Sequence, residues 1–238
     1  MMLAVSDLHA GYVRDIDILR GLTLEAQAGQ LTTVIGANGV GKSTLLKCIV
    51  GQLRPHAGHI VFDGTDITGI ATHQLVRHRI AYLAQRRNVF PHLTVRENLE
   101  MGTWSFRRDR ARVRTALGTA LDSAPFLARF SNRVAGELSG GQQRLLEIER
   151  ALLSDPMLLL VDEPTVGLDP KTAAIIYQRL RQLSAEQGRT ILLVDQNIIA
   201  GTEIADHVYV IELGATKLKA DKAEFDARYR DTIDQWLI

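Results

Sequence analysis

A glycine-rich stretch, GANGVGKST at residues 36–44, constrains the fold more than any other part of the sequence. It has the spacing G-x-x-x-x-G-K-S/T, it follows the β-branched run LTTVI, and it precedes KSTLLKCIVGQL, whose apolar residues recur at helical spacing. A strand, a tight turn and a helix in this order surround a phosphate with backbone N–H groups. The stretch therefore predicts a nucleotide-binding phosphate loop, and a merely flexible glycine turn is the weaker interpretation.

The residue types in this loop suit contacts with a nucleoside triphosphate and a magnesium ion. Glycine allows the backbone to curl, Lys42 supplies a positive charge between the β- and γ-phosphates, and the Ser43 hydroxyl is placed to bind Mg²⁺. The predicted nucleotide-binding residues of the loop are Gly36, Asn38, Gly39, Gly41, Lys42, Ser43 and Thr44.

Two acids end the apolar run MLLLVDEP. An Asp at the carboxyl end of a parallel strand lies at the sheet edge where ligands bind, so Asp162 is predicted in the Mg²⁺ shell. Glu163 begins the turn and is predicted to act on the attacking water as a general base. The alternative, an ordinary strand-to-loop exit, is disfavoured by the phosphate loop in the same chain.

The remaining pattern predicts an α/β fold. MLLLVD and TILLVD read as parallel strands covered on both faces, and the run at 172–188 places Ile175, Ile176, Leu180 and Leu183 on one helical side. The segments LAVSDLHAGY, LTLEAQAGQ and GHIVFDGTDI predict a small antiparallel β layer.

These elements predict a P-loop NTPase core with a mainly parallel sheet. Residues 88–150 carry few strand signals and many charges, so they are predicted to form an inserted helical subdomain. The core would then comprise residues 1–87 and 151–238 of a single domain.

A second glycine loop, LSGGQ at 138–142, precedes the helical run QQRLLEIERALL. It presents backbone N–H groups and the Ser139 hydroxyl at a helix N-terminus, which is a second place for an anion. One nucleoside triphosphate has only one terminal phosphate, so the chain carries one anion-binding loop more than a single site requires.

Through GANGVGKST, LSGGQQR and LLLVDEPTVGLD, the chain resembles the nucleotide-binding subunits of ABC transporters. In that family two such domains pair head to tail, and the signature loop of one completes the ATP site of the other. The resemblance implies ATP and Mg²⁺ as cofactors, a homologous or identical second subunit, and an ATP held between the two. It adds the signature residues Ser139, Gly140, Gly141 and Gln142 to the nucleotide-binding set.

The resemblance implies roles at four further positions. Tyr12 would stack on adenine, although a core tyrosine is the alternative, and Gln85 would approach Mg²⁺ and the attacking water. Asp169 would lie in the loop that crosses the dimer interface, or simply cap the helix after it. Gln196, in VDQN, stands where most of the family has a histidine at the γ-phosphate, and an amide donates a hydrogen bond without titrating near neutral pH.

The implied catalytic set is therefore Lys42, Gln85, Glu163 and Gln196, and the implied metal set is Ser43, Gln85 and Asp162. The segments VDQN and RRNVFPHLTVRENLEMG are similar to one ATPase subunit of branched-chain amino acid uptake systems. This similarity implies an ATP-hydrolysing importer subunit that acts with membrane permease subunits and, indirectly, with an extracytoplasmic substrate-binding protein. A lipopolysaccharide-export ATPase and a soluble ABC ATPase of DNA repair or translation are the alternatives.

Charge and hydropathy set the expected location and partners. No apolar run approaches the ~18 residues that span a bilayer, so the protein is expected to be cytoplasmic. The resemblance implies that it is peripheral on the cytoplasmic face of the inner (plasma) membrane. Lys and Arg number 28 against 27 Asp and Glu, and the arginines of FRRDRARVR are interpreted as a solvated helical face, so no nucleic acid is expected. In the C-terminal tail Phe225, Tyr229, Ile233 and Leu237 recur every four residues and predict a docked amphipathic helix.

Overall fold

The computed structural model describes residues 1–13 and 16–230. Their strands are β1 (Leu3–Ala10), β2 (Leu19–Ala26), β3 (Leu31–Ile35), β4 (Ala57–Phe62), β5 (Thr65–Asp66), β6 (Ile80–Leu83), β7 (Leu158–Asp162), β8 (Thr190–Val194), β9 (His207–Glu212) and β10 (Ala215–Asp221). Their α-helices are α1 (Lys42–Ile49), α2 (Val95–Gly102), α3 (Arg110–Ser123), α4 (Pro125–Arg129), α5 (Gly140–Leu152), α6 (Pro170–Ala185), α7 (Ile198–Glu203) and α8 (Lys222–Arg228). None of these helices is long and apolar enough to span a lipid bilayer.

The main sheet has six strands in the order β10-β9-β3-β8-β7-β6. All neighbours in it are parallel except β10, which pairs antiparallel with β9. Every residue of β3, β7 and β8 is buried, as expected of strands that are covered on both faces. Because these three strands are adjacent and parallel, the segments that follow them meet at one edge of the sheet.

The predicted antiparallel layer is present as a second sheet, in the order β2-β1-β4-β5. Its inward residues, such as Leu3, Val5 and Leu24, share one hydrophobic cluster with Leu45 and Ile49 of α1. The phosphate-loop helix is therefore held between the two sheets.

The segment between β6 and β7 is helical, as the sequence indicates. Helix α2 begins with a capping box between Thr94 and Glu97, and α2 to α5 pack around their own cluster, which includes Leu99, Leu127 and Leu146. Ile148 of α5 packs instead with the cluster on the main sheet. Helix α5 thus belongs to both parts, and the predicted division at residue 150 falls inside it.

The structure departs from the predicted helical faces at one position of α6. Ile176, Leu180 and Leu183 are buried in α6, but Ile175 is 46% exposed, so its assignment to the same face is wrong. Adjacent helical residues point about 100° apart, which turns Ile175 to the solvent side. In the tail Phe225 is buried within α8, whereas Ile233 and Leu237 lie outside the described residues.

Candidate nucleotide-binding site

The phosphate loop between β3 and α1 needs glycine for two different reasons. A Cβ on Gly36 would lie 2.5 Å from the carbonyl oxygen of Ile211 on the neighbouring strand. Gly41 has a φ of 110°, and a Cβ there would lie 2.6 Å from the Leu19 side chain. The loop is therefore curled tightly against β2 and β9, with its backbone accessible only because side chains are absent.

Lys42 lies across this loop. Its Nζ donates to the carbonyl oxygens of Gly36 at 2.7 Å and Ala37 at 3.0 Å, and the residue is 4% exposed. Burial lowers the pKa of Lys42, and the nearby carboxylates of Glu163 and Asp162 oppose that shift. The side chain is thus a buried cation that is positioned at the loop.

Asp162 ends β7 beside the start of α1. The Ser43 Oγ donates to its Oδ1 at 3.2 Å, and the Tyr82 hydroxyl donates to its Oδ2 at 3.2 Å. Burial raises the pKa of Asp162, and these hydrogen bonds counter the shift. A hydroxyl and a carboxylate oxygen side by side fit Mg²⁺, which takes one or two protein oxygens and completes its shell with phosphates and water. Among the described residues no cluster of three or more His, Cys, Asp or Glu side chains could hold a metal without such help.

Glu163 starts the turn after β7 in an unusual backbone conformation. Its φ is 41°, and its N–H donates to the Val194 carbonyl oxygen at 2.8 Å. Gln85, 78 positions away in sequence, donates through Nε2 to the Glu163 Oε2 at 2.6 Å. Burial raises the pKa of Glu163, Lys42 opposes the shift, and Asp162 and Asp195 add to it. A strained, buried carboxylate with a raised pKa is typical of a functional position.

The second glycine loop starts α5. Ser139 is the N-cap and forms a capping box with Gln142: the Gln142 N–H donates to Ser139 Oγ at 3.4 Å, and the Ser139 N–H donates to Gln142 Oε1 at 3.0 Å. The Arg87 guanidinium lies so close to Gly140 that a Cβ there would be 2.7 Å from it, and Gly141 packs on Thr172. Within residues 1–13 and 16–230, no hydrogen bond joins this loop to residues 36–44.

Tyr12 lies on the surface. It is 55% exposed, which excludes the core-tyrosine alternative, and the Lys47 Nζ donates to its hydroxyl at 2.9 Å. The Lys47 Nζ also lies 5.1 Å from the centre of the Tyr12 ring, and an exposed aromatic ring is suited to stacking on a flat ligand. Asn38 and Gly39 line a nearby groove of about 410 Å³, while Thr44 is buried at the start of α1.

Two predicted residues lie in the turns beyond β7 and β8. Asp169 is the N-cap of α6, because its Oδ1 accepts from the Thr172 N–H at 3.0 Å. This is the capping role that the sequence analysis gives as the alternative to a place at the dimer interface. Gln196 is exposed and is the second residue after β8. The site role of each stays a prediction.

Arg144 is a contact residue that the sequence analysis missed. It is buried, and its guanidinium donates to the carbonyl oxygens of Ala84 at 2.8 Å and Pro164 at 3.0 Å and to Glu147 Oε2 at 2.9 Å. One side chain therefore connects the signature helix, the backbone before Gln85 and the turn after Glu163. The only sequence signal was the arginine that follows LSGGQ.

The family model described as ABC transporter matches residues 19–166. The chain belongs to the ABC transporter family. It is accordingly an ATPase of the ATP-binding cassette type, as the phosphate loop and the paired acids predict.

Two relatives carry names from amino acid transport. The probable branched-chain amino acid transport ATP-binding protein LivF of Archaeoglobus fulgidus is 40% identical over 213 residues, which are 90% of this chain and 89% of the relative. The high-affinity branched-chain amino acid transport ATP-binding protein BraG of Pseudomonas aeruginosa is 39% identical and covers 87% and 88%. A phosphonates import ATP-binding protein of Ruegeria, PhnC 1, is 33% identical over 98% of this chain and 94% of the relative. Relatives of this ABC protein are therefore named for the transport of different substrates.

Solved structures agree with the fold of this ABC protein. A nucleotide-free ATP-binding cassette from an ABC transporter superposes with a TM-score of 0.85 at 27% identity, over 100% of this chain and 99% of the other. A dimeric cassette in a post-hydrolysis state with bound ADP and Pi gives a TM-score of 0.79 at 28% identity, over 93% and 99%.

Proposed function

We propose that this ABC protein is the ATP-hydrolysing subunit of an importer for branched-chain or other amino acids, and that ATP closes a head-to-tail dimer of such subunits. The observation that carries the proposal is the arrangement at the edge of the main sheet. The phosphate loop, the Ser43–Asp162 pair and the Gln85–Glu163 pair lie together, while the signature loop makes its contacts elsewhere in the chain.

In this proposal the phosphate loop binds the triphosphate. Lys42 exchanges its two carbonyl acceptors for phosphate oxygens, and the loop N–H groups and the N-terminus of α1 add donors. Tyr12 stacks on the adenine, with Lys47 holding its hydroxyl. Ser43 and Asp162, with Gln85 nearby, would hold Mg²⁺, and the ion would neutralise part of the phosphate charge.

Hydrolysis needs a base and a donor near the γ-phosphate. Glu163 accepts the proton of the attacking water, and Gln85, which already donates to this carboxylate, fixes its direction. Gln196 donates its amide N–H to a γ-phosphate oxygen. The base is buried beside other acids, and this favours its taking up a proton as the reaction proceeds.

The signature loop completes the site of a second subunit in this proposal. The Ser139 Oγ accepts within the capping box, so its own hydrogen remains available for a phosphate oxygen. The N–H groups at the start of α5 point along a helix dipole that favours an anion. Their supply from a second chain is consistent with the absence of hydrogen bonds between residues 36–44 and 138–142 in the described part of this chain.

A groove of about 760 Å³ between β6 and the helical segment is proposed as the contact for the membrane permease. Its exposed apolar side chains are Val76, Phe90, Met101 and Trp104. Strand β6 runs from this groove to Gln85, which contacts the base, so an apolar helix of the permease lying here would be coupled to hydrolysis. The subunit would accordingly be peripheral on the cytoplasmic face of the inner membrane, with an extracytoplasmic binding protein delivering the substrate.

Replacement of the base tests the ATPase assignment. Glu163→Gln is expected to lower the hydrolysis rate by roughly 10² to 10⁴ and to leave ATP binding intact, because it removes the base and keeps the phosphate loop. Glu186→Gln, an exposed acid at the end of α6, is the matched control. Near-normal turnover by Glu163→Gln would contradict the role.

Replacement of a groove residue tests the partner. Trp104→Ala should reduce recovery of the subunit with membranes that contain its permease while leaving basal ATPase activity unchanged. Ile199→Ala, an exposed apolar residue outside the groove, should reduce neither. Equal recovery of both variants would refute the assignment of the groove, and recovery with ribosomes or DNA would refute the transport role.

A further inference from the structure

The turns after β7 and β8 are joined by a buried chain of three polar side chains. The Tyr177 hydroxyl on α6 donates to the Asp195 Oδ2 at 2.8 Å, and it lies 2.9 Å from the Thr165 Oγ1. A phenol has one hydrogen, and the carboxylate accepts it, so the Thr165 hydroxyl donates to the Tyr177 oxygen. The order is therefore Thr165 to Tyr177 to Asp195.

Both ends of this chain lie next to residues of the ATP site. Thr165 is two residues after Glu163 and belongs to the turn that ends at the Asp169 cap. Asp195 directly precedes Gln196, and its Oδ1 accepts from the Asn197 N–H at 2.9 Å. The backbone after Gln196 is thus held by the carboxylate of the residue before it, and the Asp195 N–H donates to the Val34 carbonyl oxygen at 3.1 Å.

Burial makes this arrangement demanding. Asp195 is 1% exposed and Tyr177 and Thr165 are also buried, so each polar atom must find a partner inside the protein. Burying a carboxylate destabilises the folded state unless hydrogen bonds satisfy its oxygen atoms. Removal of the phenol hydroxyl would leave Asp195 with one donor fewer and Thr165 without its acceptor.

We propose that Thr165, Tyr177 and Asp195 are positioning residues for ATP hydrolysis, which hold Gln196 and the turn after Glu163 in one fixed relation. This inference rests on the proposed function of Gln196 and Glu163. None of the three residues touches the nucleotide, and they act through the two turns. The amide of Gln196 must donate in one direction to serve the γ-phosphate, so the orientation of its backbone matters directly.

The test is a double-mutant cycle between Tyr177 and Gln196. Tyr177→Phe is expected to lower kcat roughly tenfold, with the Kd for ATP unchanged within about twofold, because it disturbs orientation and leaves the phosphate loop alone. In a Gln196→Ala background the same change should have a clearly smaller effect, roughly two- to threefold, since Gln196 is gone and only the turn after Glu163 is left to be positioned. Thr165→Val should reproduce the fall in kcat if Tyr177→Phe does not fold.

Tyr209→Phe is the matched control. Tyr209 is equally buried, and its hydroxyl accepts from the Glu25 N–H at 3.1 Å, on the β9 side of the sheet. Its replacement should change thermal stability as Tyr177→Phe does, but not kcat.

Three results would overturn the inference: equal kcat values for the two phenylalanine variants, a full tenfold effect of Tyr177→Phe in the Gln196→Ala background, or unaltered hydrolysis by Gln196→Ala alone. Glu163→Gln in the same assay tests the proposed function separately. Normal turnover by that variant would mean that the proposed function is wrong, whereas low turnover together with any of the three results above would mean that only this inference is wrong.

Discussion

Replacement of Arg144 by methionine should destabilise this ABC protein more than any change at an exposed ion pair. The Arg144 and Glu147 side chains are 3% and 2% exposed, and Nη1 lies 2.9 Å from Oε2. Removing one partner of a buried pair leaves the other charge uncompensated, which costs roughly 3–5 kcal/mol of unfolding free energy. For a chain of 238 residues, about 2–4 °C per kcal/mol converts this to a fall in Tm of roughly 6–20 °C.

Urea and thermal unfolding of three variants measure this effect. Arg144→Met is compared with Arg96→Met, whose exposed pair with Glu100 is worth about 0–1 kcal/mol. The double variant Arg144→Met, Glu147→Gln should recover part of the loss, because the unpaired charge is removed. Recovery should be incomplete, since the carbonyl oxygens of Ala84 and Pro164 still lack their donor. If Arg144→Met loses less than about 1 kcal/mol of unfolding free energy, or if the double variant recovers none of the loss, Glu147 is not left as a costly unpaired charge.

Two further predictions concern the nucleotide and the phosphate-loop helix. Tyr12→Ala should weaken ATP binding by about 1–3 kcal/mol, because it removes the stacking ring. Tyr12→Phe keeps the ring and loses only the Lys47 hydrogen bond, so it should raise the Kd for ATP by less than about threefold. Titration calorimetry measures both variants, and equal losses of affinity would exclude stacking. Cys48, the only cysteine, is fully buried in α1, and burial raises its pKa to about 12. The thiol is therefore protonated at about pH 8 and should react with iodoacetamide only when the protein unfolds. ATP should slow the labelling further, because it stabilises the folded protein. Fast labelling of the native protein would contradict the burial of α1.

Local pattern was sufficient for the elements that carry motifs. The strands β3, β7 and β8 are continuous apolar runs, and the glycine spacing predicts the turn and the helix after β3, so these elements could be predicted although their order in the sheet could not. Strand β6 is short and only half buried, and it carries no alternation that marks it. The β9–β10 hairpin turns at Leu213 and Gly214, with φ values of 50° and 82°; glycine is an ordinary turn residue, but leucine does not signal a positive φ.

The structure brings several of the predicted site residues together, but their contacts could not be predicted, and their roles stay predictions. Lys42, Ser43 and Asp162 stand in spacings with a direct physical meaning, and this is why the sequence singles them out. Gln85 meets Glu163 from 78 positions away, and Arg144 bridges three segments, because the folded chain brings them together. Asp195 comes after the apolar run ILLV, as Asp162 comes after LLLV. This similarity between the two segments was the one sequence signal that Asp195 is buried near Asp162.

Sedimentation of the Glu163→Gln protein with and without ATP tests the central claim that two chains share each ATP site. We expect a monomer without nucleotide and a dimer with ATP, because the trapped nucleotide then binds residues of both chains. Gly140→Asp in the same background should prevent dimer formation, because it adds a negative charge to the loop that is proposed to bind the phosphates held by the second chain; its Cβ would meet the guanidinium of the Arg87 side chain. Gly118→Asp, where a Cβ meets open space on α3, should dimerise normally. A chain that binds ATP fully yet stays monomeric, or a Gly140→Asp variant that dimerises like the control, would show that the ATP site is not shared between two chains.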